Sequence, residues 1–273
     1  MQARTLGTAW EVLAPAKLNL YLEILGRRAD GFHELETLMV AVRLYDRLLW
    51  APQPASDATQ RRLVCHRYGR FPVDAPADDK NLVVRAAKVL AAAAGIAPHG
   101  QFHLWKRIPA QAGLGGGSSD AAAALVAGNA AWGIGYSRRR LQKLAAQLGS
   151  DVPFFFEQGF AVGRGRGEQL TSVEGMPRLH TVIVKPPAGV STAEAYQTLN
   201  MGVATEQAQQ ASQRDRHSEL ANEQGGPRLL DARVHHGALA PAACGERLDA
   251  RAVRVQWLRT YVARPAGRSA RRR

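Results

Sequence analysis

IPAQAGLGGGSSDAAAALVAGNAAW, residues 108–132, sets Gly113, Gly115, Gly116 and Gly117 within five positions and follows them with Ser118, Ser119, Asp120 and an alanine-rich run. Glycine admits left-handed backbone and lets successive N–H groups turn toward an anion. The alanine run has high helix propensity, so the segment reads as a loop feeding a helix whose first turn the serine pair can cap. The open amides of that first turn carry about +0.5 of an elementary charge. Loop and helix end together form a cradle for phosphate. A Walker-type loop is excluded because no Gly-Lys-Ser/Thr ending follows the glycines. The dinucleotide fingerprint fails too, because Ser118 stands where a third Gly or Ala is needed and no acidic residue closes a strand about 20 residues later. A ligand-free strand-to-helix turn is the alternative reading, but four glycines in five positions carry a chain-entropy cost that an empty turn does not need.

Working outward, Gln101–Lys106 alternates with Phe102 and Leu104 on one side and reads as the strand before the loop. Asn81–Ala94 reads as a helix, capped by Asn81 and ended by Gly95, with Leu82, Ala86, Val89, Leu90 and Ala93 on one face. Ser137 caps a second helix carrying Leu141, Leu144, Ala145 and Leu148, with Gly149 at its end. Ala16–Leu25 and Leu35–Trp50 read as strands, the latter interrupted at Tyr45-Asp46 by a turn-like break. A short strand is expected at Thr181–Lys185 and a short helix at Thr192–Leu199. Mixed strands and helices of this kind make an α+β fold.

The chain has 273 residues, is 46% hydrophobic and carries a net charge of +13. Those figures fit a folded protein with a sizeable core and exclude collagen-like and disulfide-scaffold classes. Cys65 and Cys244 give neither metal spacing nor a bridge framework. No apolar run is long enough for a membrane helix, and a cytoplasmic protein without a membrane partner is expected. Of the 36 basic residues 30 are Arg, and 13 of these lie in residues 203–273, which hold no Lys, Ile or Phe. The surplus is thus partly a property of that tail and gives little support to a nucleic-acid partner, which needs a clustered patch.

Other polar positions stand out. In APAKLNLYLEIL (14–25), Lys17 and Asn19 share one strand face, opposite Leu18 and Leu20. A solvated lysine is the plain alternative to a phosphate or carboxylate partner. Asp30-Gly31 marks a turn, with Phe32 and His33 beyond it. Asp151 follows Gly149 before an apolar run and by itself reads as a turn residue. GRGRGE (163–168) is a second, weak glycine cluster, and Trp132 and Phe154–Phe156 read as core.

In their order PAKLNLYL, GRRADGFHELET, DKNLVVRAA, KRIPAQAGLGGGSSDAAAAL, LGSDVPFF, GRGRGE and GVSTAEAY, spanning about residues 12–200, the motifs resemble the GHMP kinase superfamily. Within it they are most similar to the branch acting on a cytidine-diphosphate-linked methylerythritol. The resemblance implies an ATP- and Mg²⁺-dependent kinase that phosphorylates the 2-hydroxyl of that small-molecule substrate. It implies catalytic roles for Lys17 and Asp151. Pro109, Ala110, Gln111, Ala112, Gly113, Leu114, Gly115, Gly116, Gly117, Ser118 and Ser119 correspond to the loop on the ATP phosphates. Asn81, Leu82 and Lys106 correspond to residues lining the adenine site. Asn19, Phe32, His33 and Tyr196 correspond to the substrate side, where the family brackets cytosine with aromatics. Family members often have Tyr where this chain has Phe32, which keeps the stacking and loses a hydroxyl. Other members acting on homoserine or mevalonate, and a basic nucleic-acid-binding protein on an S5-like fold, are the alternative readings. Oligomeric state is open.

The implied architecture is a ribosomal S5 domain 2-like N-terminal domain (1–165) followed by an incomplete ferredoxin-like αβ-plait C-terminal domain (166–202). The superfamily's third glycine motif, Gly-Ser/Thr-Gly-Ala near the C-terminus, has no counterpart after Gly189. Its absence coincides with the Arg/Ala-rich texture of 203–273, where Val plus Leu number 11 of 71 residues, a composition typical of disorder. A shifted reading frame or true divergence accounts for that tail, and the former is the expectation.

Overall fold

The structure is a computed structural model that describes residues 1–52, 63–67, 76–157, 159–176 and 178–185. Tyr196, the expected helix at 192–199, Cys244 and the tail from 203 lie outside the described residues. The elements run β1 (Ala3–Leu6), β2 (Ala9–Arg27), β3 (His33–Ala51), β4 (Leu63–Arg67), α1 (Leu82–Ala94), β5 (Gln101–Lys106), α2 (Gly116–Ala131), α3 (Arg138–Ala145), a 3₁₀ turn (Pro153–Phe156), β6 (Phe160–Arg164) and β7 (Gln169–Val173). Seven strands form one mixed sheet in which β1-β2-β3-β5-β4 are neighbours; β4 is parallel to β5, and the β6–β7 hairpin adds to β3. The two long strands organise it. The lower part of β3, residues 37–40, pairs with β6, and its upper part, 47–51, pairs with β5. The sheet therefore continues past residue 165, because the β6–β7 turn spans 165–168.

The expected turn at Tyr45-Asp46 is absent. β3 runs through it, and the β2–β3 register slips between Pro15 and Ala16, opposite Tyr45 and Val42. The two strands remain paired on either side, so the irregularity is a bulge, which re-aims side chains without ending pairing. Its result is that Asp46 is fully buried. The expected strand at Thr181–Lys185 is also absent: no described strand pairs with it, and Val182 and Val184 are exposed. Alternating apolar residues form a strand only where a neighbour takes their backbone bonds.

The helices follow the sequence reading closely. Asn81 Oδ1 accepts from Val83 N at 2.9 Å, and Gly95 ends α1 at φ +69°. Ser137 Oγ accepts from Arg140 N at 3.3 Å. α3 closes at Ala145, and the chain continues to Leu148 through turns. α2 departs from its expected cap. Gly115 is the N-cap, so Ser118 and Ser119 lie inside the helix and neither caps it. Ala121–Ala124, Leu125 and Ala127 are all buried, which marks a helix enclosed on every side. It lies between the sheet, α1 and α3. Gly128 leaves the space that Leu90 of α1 fills; a Cβ there would sit 2.9 Å from Leu90 Cδ2. Leu90 is fully buried, and Leu90→Ala is expected to lower unfolding free energy by about 2–5 kcal/mol, read from urea denaturation.

Candidate active site

β2, the loop before α2, and the turn after α3 meet at one place. The Lys17 N–H donates to the Leu114 carbonyl at 2.9 Å, which ties the strand backbone to the glycine loop. The Lys17 side chain passes along the loop: a Cβ at Gly115 would lie 2.9 Å from Lys17 Cγ and 3.1 Å from Phe155 Cζ. Its ammonium reaches Asp151 Oδ2 at 3.3 Å and bonds Asn19 Oδ1. Asn19 in turn donates to Thr37 Oγ1 at 2.7 Å, and that hydroxyl donates to the Tyr21 carbonyl at 2.7 Å. Lys17 is thus held in a defined rotamer. Its side chain is 8% exposed and that of Asp151 35%, so the carboxylate faces solvent while the ammonium does not. The next residues in the chain fix Asp151, because Val152 and Phe154–Phe156 are buried and anchor the turn.

The loop has the geometry of an anion cradle. Gln111, Gly113 and Gly115 have positive φ (52°, 70° and 66°). The first bond of α2 runs from Ser119 N to Gly115 O, 2.9 Å. The N–H groups of Gly116, Gly117 and Ser118 therefore have no helical acceptor, as at any helix start, and no described residue takes them. Leu82, at the start of α1, approaches the same turn, with its Cδ1 3.8 Å from a Cβ placed at Gly117. Asn81 is occupied in capping α1 and in donating to the Pro76 carbonyl at 2.7 Å. Pro109 and Ala112 are half-buried, Ala110 is exposed, and Leu114 is buried under the loop.

Lys106 is enclosed in the core. Its ammonium is buried between Asp46, which it bonds, and Asp120 Oδ2 at 2.7 Å. Burial disfavours that ammonium, but Asp120 and Asp46 more than offset it and raise its pKa. Burial pushes the Asp120 carboxyl up to about 7, with Lys106 opposing and Asp46 adding to the rise. Because this carboxyl holds its proton more tightly in the folded chain than in the unfolded one, stability falls as pH rises from about 4 through 7. Asp120→Asn, which has no proton to lose, is expected to flatten that slope in melting curves taken across the same range. Asp46 and Asp120 are the residues that sequence reading missed. The available signal was Lys106 itself, which continues the buried phase of Phe102 and Leu104 and so requires a carboxylate in the core.

At the other end of β2 and β3, Asp30-Gly31 makes the expected turn, with Phe32 N donating to Asp30 Oδ1 at 3.1 Å. Phe32 is 53% exposed, and the Arg166 guanidinium from the β6–β7 turn lies 4.8 Å from its ring centre. The weak GRGRGE cluster is therefore the neighbour of Phe32: its Gly165 carbonyl accepts from Leu35 N at 2.8 Å. Burial, with Arg27 nearby, holds the His33 imidazole below its ordinary range. Among the described residues no group of three or more His, Cys, Asp or Glu is arranged to hold a metal by itself, and no helix is long and apolar enough to cross a membrane.

Sheet, enclosed helix and glycine loop define the N-terminal domain of a GHMP kinase, and the family of GHMP kinases N terminal domains matches residues 81–159. The chain is 48% identical over 191 residues to 4-diphosphocytidyl-2-C-methyl-D-erythritol kinase of Pelotomaculum thermopropionicum, covering 70% of this chain and 64% of the relative. The namesake of Synechococcus sp. (strain CC9605) is 48% identical over 188 residues, 68% of this chain and 59% of that one. A crystal structure of 4-(cytidine 5'-diphospho)-2C-methyl-D-erythritol kinase superposes with a TM-score of 0.56 at 38% identity, covering 72% of this chain and 68% of the other. Homoserine kinase from Cytophaga hutchinsonii, 21% identical with a TM-score of 0.53, shares the fold. The chain belongs to the 4-diphosphocytidyl-2-C-methyl-D-erythritol kinase family. It spans about three-fifths of the length of the relatives it matches.

Proposed function

We propose that the protein transfers the γ-phosphoryl group of ATP to the 2-hydroxyl of 4-diphosphocytidyl-2-C-methyl-D-erythritol, in the cytoplasm, as a step of isoprenoid precursor synthesis. The observation that carries this reading is the 3.3 Å Lys17–Asp151 pair lying against a glycine loop with open amides. Phosphoryl transfer asks chiefly for positioning and charge stabilisation. Gln111–Ser119 suit the phosphates, with the N–H groups of Gly116, Gly117 and Ser118 and the positive end of α2 directed at them. Pro109, Ala110 and Leu82 line the way to the adenine, and Asn81 holds Leu82 in place through the α1 cap. Asp151 accepts the proton of the attacking hydroxyl, whose oxygen bonds the γ-phosphorus as the bond to the bridging oxygen breaks. Lys17, oriented by Asn19, sits beside both the carboxylate and the loop and balances charge that develops between them. Mg²⁺ fits as an ion carried on the phosphate oxygens, since such ions are usually held by one or two carboxylates plus substrate phosphates. Bound there, it would neutralise phosphate charge.

Phe32, exposed and flat, suits stacking on cytosine, and a neutral His33 can read a base edge by hydrogen bonding. Tyr196 is proposed as the second aromatic. A ferredoxin-like second domain is proposed to follow β7, which still belongs to the N-terminal sheet, and 203–273 to be an Arg/Ala-rich replacement of its remainder. That the matched relatives cover only 68–73% of this chain supports the replacement. The test is ADP release from ATP in the presence of the cytidine-diphosphate substrate, set against homoserine and mevalonate. Substrate-dependent turnover with the first alone is expected, and turnover with another alcohol alone would overturn the assignment. Running the same assay on a chain whose 203–273 codons are read in the shifted frame is expected to raise turnover.

A further inference from the structure

Beneath the glycine loop lies a charge cluster that phosphate binding and proton transfer leave unused. Asp46, at the β3 bulge, accepts from the Lys106 ammonium with one carboxylate oxygen. With the other it accepts from the N–H groups of Arg107 and Ile108, the latter at 2.8 Å. It therefore fixes the chain where it leaves β5 and enters the loop. Asp120 lies in α2, by which the chain leaves the loop, and its Oδ2 is 2.7 Å from the same ammonium. Lys106 Nζ is also 3.2 Å from where a Cβ of Gly116 would stand, so it packs against the first residue of α2. One ammonium thus joins the entrance and the exit of the loop.

For stability alone, Asp120 is a poor choice. Lys106 and Asp46 already form a neutral buried pair, so a second carboxyl must either keep its proton or place an uncompensated charge where charge is costly. Asp120 Oδ1 has no hydrogen-bond partner among the described residues. What Asp120 supplies is the mechanical link to α2. A glycine-rich loop has many accessible backbone states, so amides aimed at a common point require both of its ends to be held. We propose that Lys106 is a staple for residues 107–119, gripping Asp46 on one side and Asp120 on the other, and that it is a positioning residue that sets affinity for the phosphates of ATP. This role rests on the kinase reading of the site.

Asp120→Ala cuts the α2 arm and leaves the neutral Lys106–Asp46 pair; Asp120→Ser, too short to reach the ammonium, does the same while keeping a polar group. Asp120→Asn keeps an oxygen for Lys106 to bond. Binding of ATP and of the cytidine-diphosphate substrate is measured separately by calorimetry on the full chain, with melting temperatures alongside. Ala and Ser variants are expected to melt at or above the parent yet bind ATP about 10–100-fold more weakly, with substrate affinity within about twofold and the Asn variant close to the parent for both ligands. ATP affinity unchanged in the folded Ala and Ser variants, or both ligands weakened equally, would overturn the staple. Failure of the kinase reading shows elsewhere, as ATP binding without substrate-dependent ADP release; a parent chain that binds no ATP overturns both.

Discussion

Asp151→Asn is expected to cut turnover about 10²–10⁴-fold while leaving ATP affinity within about twofold. The amide keeps the size of the carboxylate and can still meet the Lys17 ammonium through its oxygen, so the turn between α3 and the 3₁₀ segment keeps its shape. What it loses is a basic site for the hydroxyl proton. Asp151 is the group at this site both charged and solvent-facing, its partner Lys17 being almost enclosed. The substitution therefore acts on the chemical step and not on the cradle, which is built from the amides of a different segment. Measurement of kcat and of ATP binding on the same preparation separates the two. A variant that turns over at nearly the parental rate would remove proton acceptance by Asp151 from the mechanism.

The position of Asp151 next to Lys17 was legible in the sequence only through family resemblance. They are 134 residues apart, and nothing local in LGSDVPFFF distinguishes a reactive carboxylate from a turn residue. Local physics did reveal elements whose determinants are themselves local. Asn81 and Ser137 cap the helices they precede, Gly95 ends α1 in the left-handed region, and the alternation around Lys17 places Asn19 beside it. The failures share a cause: each depends on a partner distant in the chain. Tyr45-Asp46 reads as a break because a charged residue interrupts an apolar strand, yet the bulge turns Asp46 inward to meet Lys106, 60 residues on. Ser118 and Ser119 have the chemistry of caps, but the tight approach of Lys17 and Phe155 to Gly115 starts the helix earlier, at a glycine with φ +66°. Thr181–Lys185 alternates as a strand should and finds no described strand to pair with. Arg166 over Phe32 joins two turns that are neighbours only because β6 adds to β3.

That crowding at Gly115 is the basis of the second large effect. Gly115→Ala is expected to reduce kcat/KM for ATP by about 10²-fold or more without unfolding the chain. Two costs act together. Left-handed backbone is unfavourable for alanine by about 1–2 kcal/mol, and the new methyl would lie 2.9 Å from Lys17 Cγ and 3.1 Å from Phe155 Cζ. Phe155 is buried and anchors Asp151, so the readier response is for Lys17 to swing aside or for the loop to lift away. The first breaks the contact with Asp151; the second redirects the amides of Gly116 and Gly117. Either damages catalysis more than folding. Gly113→Ala is the control, since Gly113 has φ +70° but open space where its Cβ would go. It carries the backbone cost alone and is expected to lose about 30-fold or less, since 1.36 kcal/mol corresponds to a tenfold change. The difference between the two variants, with melting temperatures to show that both are folded, measures how much of the loop's function depends on the close approach of Lys17. Equal losses would mean that backbone strain alone accounts for the effect and that the lysine does not depend on the space Gly115 leaves.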